Sequence, residues 1–329
     1  MNYRILKGKE VLVTGGLGFV GSNLAIELVK QGAKVTVVDN LTPQQGGNLF
    51  NIDPIKNNIT INFSDIRDRL AIAQLVQGKE YIFHLARQTD HILSQTDPFP
   101  DIDVNIRGTT IILEACKHYN PRVRFIYIGT RGQYGHAVKL PVSESAPTNP
   151  KGMYEITNLA AEKIIGIYND IHGIPAIMLR LTNIYGPRSQ MKHDHYGIVN
   201  WFIRLAMEGK TIPIFGDGTL KRDILYIYDA TDAIMACATN KRCYGEIINV
   251  GKPHPETLAA LVKTIVGVAK RGSYTFTEFT KERAAQEPGD FASDITKITS
   301  LTGWKPKTTL EAGIRKTVKY YKKHKSHYW

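Results

Sequence analysis

Short apolar runs alternate with amphipathic stretches along most of the chain, and that alternation predicts strands and helices in turn. Val11-Leu12-Val13-Thr14 reads as a buried strand, and Gly15-Gly16-Leu17-Gly18-Phe19-Val20-Gly21 follows it at once. Ser22 to Gln31 carries Leu24, Leu28 and Val29 at helical spacing, and Gly32 ends that helix. Lys34-Val35-Thr36-Val37-Val38-Asp39 is a second strand. The rhythm continues through strand Ile59 to Phe63, helix Leu70 to Val76, strand Tyr81 to Leu85, helix Ile102 to Tyr119 and strand Val123 to Ile128. Met178 to Leu181 and Ile247 to Val250 read as later strands, and Val199 to Met207, Leu258 to Val268 and Leu310 to Tyr321 as later helices. Such alternation predicts an α/β fold, a Rossmann-type doubly wound parallel sheet with helices on both faces. Residues 1–183, with about 229–252 returning to the same sheet, are assigned to this domain; residues 184–228 and 253–329 are assigned to a smaller, discontinuous lobe.

Composition narrows the class. The 329 residues are 43% hydrophobic and 22% charged, without repeats or low-complexity runs, which excludes a disordered chain or a solenoid. No apolar stretch approaches the roughly 18 residues of a membrane span. Met1 to Glu10 holds no apolar signal core, so the cytoplasm is the expected compartment. Cys116, Cys237 and Cys243 are too few and too scattered for a disulfide framework or a four-ligand zinc site, and they read as reduced packing residues. The formal charge of +12 suits an anionic partner. Much of it lies at Arg315, Lys316, Lys319, Lys322, Lys323 and Lys325, spaced as the solvated side of a helix. No nucleic-acid motif or aromatic interleaving accompanies them, so a surface helix is preferred to a nucleic-acid footprint, with Tyr320, Tyr321, Tyr328 and Trp329 as anchors. A phosphorylated small molecule is the partner left, with neither nucleic acid nor membrane expected.

The glycine turn has a specific physical reading. Gly15 allows a tight turn, Gly18 lets backbone approach a pyrophosphate, and Gly21 lets the helix close on the strand. Phe19 and Val20 of the turn also border the cofactor, and the N-terminus of the helix that follows offers the phosphates free N–H groups and a positive dipole end. Asp39 ends the second strand 18 positions after Gly21, placed to accept hydrogen bonds from a ribose, with Asn40 beside it. Its charge repels a 2′-phosphate, so NAD is expected rather than NADP.

Further motifs span nearly the whole chain: Asp65-Ile66-Arg67-Asp68, His84-Leu85-Ala86, Asp103-Val104-Asn105-Ile106-Arg107-Gly108-Thr109, Arg180-Leu181-Thr182-Asn183-Ile184-Tyr185-Gly186-Pro187-Arg188, Phe215-Gly216-Asp217-Gly218, Lys221-Arg222-Asp223 and Gly303-Trp304-Lys305-Pro306. Together with the glycine turn, they resemble the extended short-chain dehydrogenase/reductases, and within these the nucleotide-sugar epimerases and dehydratases. The resemblance implies that Asp65 and Ile66 lie by the adenine and that Leu85 and Ala86 border the cofactor. It implies Thr130 as the hydroxyl that bonds the reacting sugar and Tyr154 as the base that takes its proton. Asn183 and Arg222 match positions at the nucleotide diphosphate, Arg222 as a fork for phosphate oxygens, and Arg188 is a further substrate-binding candidate. It also implies a homodimer through the helix near Ile106 to Tyr119 and the helix from Tyr154 to Tyr168, with Ile111, Ile112, Leu159, Ile164 and Ile165 as apolar positions.

Three departures stand out. The fourth residue after Tyr154, lysine in the family, is Asn158. Asn158 can bond the nicotinamide ribose but supplies no charge to depress the tyrosine pKa. A charge at about 4 Å is worth roughly 4 kcal/mol at an effective dielectric of 20, about three pKa units. Lys163 points about 140° away around the helix, so Arg131, beside Thr130, is the expected replacement cation. Dehydratases of the family place an acidic pair or a Glu just after the Thr, where this chain has Arg131 and Gly132, so epimerisation is favoured over elimination. Asp90 and His91 are alternative proton-transfer groups, and Arg131 would suit the carboxylate of a uronic acid. The family's later arginine is replaced by Glu287, with Arg283 as the nearby compensating cation. Arg188, Lys192, His193 and His195 form a basic loop that could close on the sugar. His193 and His195 with Asp194 lack the further ligands of a metal site.

The sequence thus predicts an NAD-dependent nucleotide-sugar epimerase, of UDP-hexose type, working through a transient keto sugar. A dehydratase and a non-catalytic, NAD-bound sensor or scaffold are the alternatives.

Overall fold

The computed structural model describes residues 3–43, 45–279, 287 and 289–329. Its strands in chain order are β1 (Glu10–Thr14), β2 (Lys34–Val38), β3 (Ile59–Asn62), β4 (Tyr81–His84), β5 (Arg124–Thr130), β6 (Ala176–Leu181), β7 (Asn183–Tyr185), β8 (Thr211–Phe215), β9 (Lys221–Arg222), β10 (Ile224–Tyr226), β11 (Ile247–Val250), β12 (Glu256–Thr257) and β13 (Ser273–Thr277). Seven of them form one sheet in the order β11-β6-β5-β4-β1-β2-β3. Every neighbouring pair is parallel, with Val11 opposite both Val35 and Tyr81. The central strands are covered on both faces, as in β6, where every residue is buried. That burial is why they read as continuous apolar runs. The chain leaves β1 toward β2 on one side and returns at β4 on the other, which opens a crevice at the carboxyl ends of the strands.

The helix Phe19–Lys30 begins three residues before the apolar periodicity does. Its start is set by extended backbone at Gly18 rather than by the first buried leucine. The predicted helix from Ile102 to Tyr119 opens with π-type turns over Ile102–Gly108 before the α-helix Thr109–Tyr119. The long helix Met153–His172 stops at Gly173, in the left-handed region at φ 68°.

A second core gathers Tyr185, Phe202, Ile212, Ile224, Leu261, Ile314 and Tyr321, away from the sheet. It is edged by three two-stranded pairs: β7 with β10, β9 with β12, and β8 with β13. The helix Leu310–His324 buries Ile314, Thr317, Val318 and Tyr321 there, and its lysines face outward. The three cysteines are free and buried. Among the described residues, no helix is long and apolar enough to cross a membrane.

Candidate active site

The crevice is a cleft of about 1130 Å³, larger than the roughly 300–1,000 Å³ of a single small-ligand pocket. One end is built on the glycine turn. Gly15 has φ 68°, and a Cβ there would stand 2.7 Å from the Ala86 nitrogen. A Cβ on Gly21 would stand 2.2 Å from the Gly15 carbonyl oxygen, so only glycine lets the helix close on the turn. No side chain caps the helix that starts at Phe19, and Phe19, Val20 and Gly21 all line the cleft, leaving the first-turn amides for an anion. Asp39 directly follows β2; its Oδ2 accepts from Leu17 N at 3.0 Å and its Oδ1 from Leu41 N at 3.0 Å. Burial raises its carboxyl pKa, and those two bonds oppose the rise. Asn40 donates to Asp65 Oδ2 at 2.8 Å, and Arg67 holds the Asp65 carboxyl below the usual carboxylate range. Asn40, Asp65, Ile66, Leu85 and Ala86 line this end. A turn that admits only glycine, uncapped amides and an acid at the second strand fit a dinucleotide with two free ribose hydroxyls.

The floor is tied to the sheet by a chain of hydroxyls. Thr109 donates to the Asn105 carbonyl at 2.6 Å, so its oxygen accepts from His84 Nε2 at 2.9 Å. His84 Nδ1 then accepts from the Thr14 hydroxyl at 2.7 Å, and Thr14 Oγ1 accepts from the amides of Leu85 and Ala86 at 3.1 Å. Burial holds the His84 pKa down at about 3, consistent with a neutral imidazole serving as a link.

Thr130 ends β5, and its hydroxyl accepts from Gly132 N at 3.1 Å. Tyr154 and Asn158 lie in the first two turns of Met153–His172 and are buried. Burial raises the Tyr154 pKa, and the positive charge of Arg87 opposes that rise. The Arg87 guanidinium also donates to Asn158 Oδ1 and covers the Tyr127 ring at 4.8 Å from its centroid. Asn158 Nδ2 donates to the Tyr154 carbonyl at 2.7 Å, and Tyr127 donates to the Asn158 carbonyl at 3.0 Å. The expected replacement cation, Arg131, is placed otherwise. It lines the cleft, but its guanidinium lies 4.7 Å over the Phe291 ring, and burial lowers its pKa to about 10.

Sequence reasoning missed two residues here. Arg87 directly follows His84-Leu85-Ala86, so a cation one step past the cofactor-bordering pair was the available signal. Glu155 follows Tyr154 and reaches over Gly132, where an added Cβ would stand 2.6 Å from its Cγ. A carboxylate therefore occupies the region beside Thr130, delivered from the helix and not from residues 131 and 132.

The substrate end departs further from expectation. Asn183 lines the cleft. Arg188 does not reach it: it is buried, donates to the Asn51 carbonyl and Asn23 Oδ1 at 3.0 Å each, and lies 5.3 Å over the Tyr320 ring. Its φ of 75° turns the side chain into the body of the protein. Arg222 is paired with Glu287 and donates to the Gly289 carbonyl at 2.7 Å, so a phosphate would have to compete with Glu287 for it. Arg283 lies outside the described residues. In the basic loop, His195 reaches Asp90 Oδ2 from Nδ1 at 2.7 Å. Among the described residues no three His, Cys, Asp or Glu side chains converge as a metal site.

A profile of the NAD-dependent epimerase/dehydratase family matches residues 11–251. A putative UDP-glucose 4-epimerase of Methanocaldococcus jannaschii is 32% identical over 317 residues, covering 95% of this chain and 98% of the relative. A dTDP-D-glucose 4,6-dehydratase of Mus musculus is 31% identical, covering 98% and 90%. The solved UDP-glucose 4-epimerase of Thermotoga maritima, with UDP-glucose, superposes with a TM-score of 0.87 at 30% identity, covering 96% of this chain and 99% of that one.

Proposed function

Because this chain belongs to the NAD-dependent epimerase/dehydratase family, we propose that it interconverts epimers of a UDP-hexose, with Tyr154 as the base. When bound, NAD would supply reversible hydride exchange with a sugar carbon. Gly15, Gly18, Gly21 and the first-turn amides would hold its phosphates; Asp39, with Asn40 beside it, would hold the adenosine ribose, and Asp65 and Ile66 would border the adenine. Thr130 bonds the reacting sugar hydroxyl and Tyr154 removes its proton as that carbon is oxidised. Asn183 contacts the nucleotide.

The observation that carries this reading is Arg87. A buried tyrosine beside Asn158 alone would keep its proton, and the guanidinium that bonds Asn158 Oδ1 supplies a positive charge that opposes the burial of the phenol. A protein that merely holds the cofactor needs no cation at that hydroxyl. Elimination is the second reading, favoured by the Glu155 carboxylate over Gly132. Against it, His91 and Arg131 hold Glu155 below the usual carboxylate range despite its burial, so it is ionised when a leaving hydroxyl needs a proton. The test is Tyr154→Phe with UDP-glucose. Conversion to UDP-galactose is expected to vanish while NAD binding by calorimetry persists; conversion at the wild-type rate would overturn Tyr154 as the base.

A further inference from the structure

A second set of titratable side chains stands beside the groups just described, and the reading above leaves them unused. His91 Nδ1 lies 2.9 Å from Glu155 Oε1, and the His91 ring centroid is 4.4 Å from that of Tyr154. Thr130, Tyr154, Glu155 and His91 all line the cleft. Two glycines make room for Glu155: a Cβ on Gly132 would stand 2.6 Å from its Cγ, and one on Gly152 2.5 Å from its Oε2. An ionised carboxylate at Nδ1 fixes that nitrogen as the donor and leaves Nε2 as an acceptor. The loop that carries His91 is itself fixed. Asn105 Oδ1 accepts from Gln88 N at 3.0 Å, and Asp90 Oδ1 accepts from the amides of Ile92 and Leu93 at 3.0 and 2.9 Å.

We propose that His91, oriented by Glu155, is an acid-base group for a carbon acid, and that it enolises a 4-keto nucleotide sugar seated against Tyr154. The proposal rests on reading the cleft as a nucleotide-sugar site. The C–H bond next to the keto carbon breaks, its proton passes to His91 Nε2, and the electron pair moves onto the keto oxygen as an enolate. The Tyr154 and Thr130 hydroxyls face that oxygen. The imidazolium then returns a proton to the same carbon, so the step consumes no oxidant or reductant. Imidazole protons exchange with water, and the returned proton is therefore the solvent's. Return on that face keeps the configuration while the carbon's proton turns over with solvent, an activity beyond interconversion at the carbon that exchanges hydride.

The test supplies the ketone ready-made. NAD-loaded protein is mixed with UDP-4-keto-6-deoxy-D-glucose in deuterium oxide; NMR follows deuterium entering the flanking carbons, and saturation transfer reports binding. The wild type is expected to exchange well above the free ketone, and His91→Asn about a hundredfold more slowly with the ketone still bound. Glu155→Gln is expected to slow exchange and to shift the His91 ring nitrogen resonances from one tautomer to a mixture. Exchange no faster than that of the free ketone, a ketone that does not bind, or His91→Asn exchanging like the wild type would each overturn the proposal. Because the probe arrives oxidised, exchange and the conversion of UDP-glucose fail separately: lost conversion with intact exchange sinks only the Tyr154 reading.

Discussion

Arg87 alters what substitutions at the site should do. Removing its charge leaves Tyr154 with burial and without the opposing cation, so Arg87→Gln is expected to lower kcat by about 10²- to 10³-fold with a smaller change in KM. Introducing the lysine that the family carries, by Asn158→Lys, sets a second buried cation against Arg87, and alone it should lower activity. The double variant Asn158→Lys with Arg87→Gln should recover more activity than either single variant; steady-state rates on UDP-glucose check both statements. The gap at Asn158 was legible in the sequence because it interrupts a spaced motif. What fills it was not, since Arg87 and Asn158 are 71 residues apart and meet only through the fold. Asp101 carries a different signal. It is buried, Oδ2 has no hydrogen-bond partner among the described residues, and burial raises its pKa to about 7. Between about pH 4 and 7 the unfolded chain releases this proton before the folded one, so stability falls as pH rises through that window and stays lower above it. Asp101→Asn is expected to flatten the fall, with a larger gain in urea midpoint at about pH 8 than at about pH 5.

The helix Met153–His172 places Tyr154, Glu155 and Asn158 together, and one buried ion pair fixes it to the sheet. Glu162 receives Arg180 of β6 at 2.6 and 2.8 Å, with both side chains almost fully enclosed. Glu162→Ala leaves the guanidinium buried without its partner and is expected to cost about 3–5 kcal/mol, read from urea unfolding. The seven-stranded sheet was legible because its strands are buried on both faces and separated by periodic helices. The paired strands of two to five residues at the second core were not, because their partners come from distant segments: β13 lies on β8 with Ser273 opposite Thr211. Arg188 failed for the same reason. Its motif position was readable, but the left-handed backbone that turns it toward Asn51 and Tyr320 was not.

At the scale of the whole molecule, the positive charge of the C-terminal helix faces outward, while among the described residues Arg67, Arg87, Arg131 and Lys151 are the lysines and arginines that line the cleft. The expected dimer surface changes in detail. Ile111, Ile112 and Ile165 are buried within the chain and cannot contact a second copy. The exposed apolar residues of the same helices are Tyr119, Ile156, Ile167 and Ile171. If two copies pair through these helices, sedimentation should find a dimer that Ile167→Lys with Ile171→Lys converts to a monomer; a monomeric wild type would contradict that pairing. Inversion of a sugar centre is the reaction proposed for the cleft. It is tested most directly by incubating the protein with NAD and UDP-glucose, UDP-N-acetylglucosamine, UDP-glucuronic acid or dTDP-glucose and reading product mass and proton NMR. An isomer of unchanged mass is the predicted product; one lighter by a water would contradict epimerisation and establish elimination in its place.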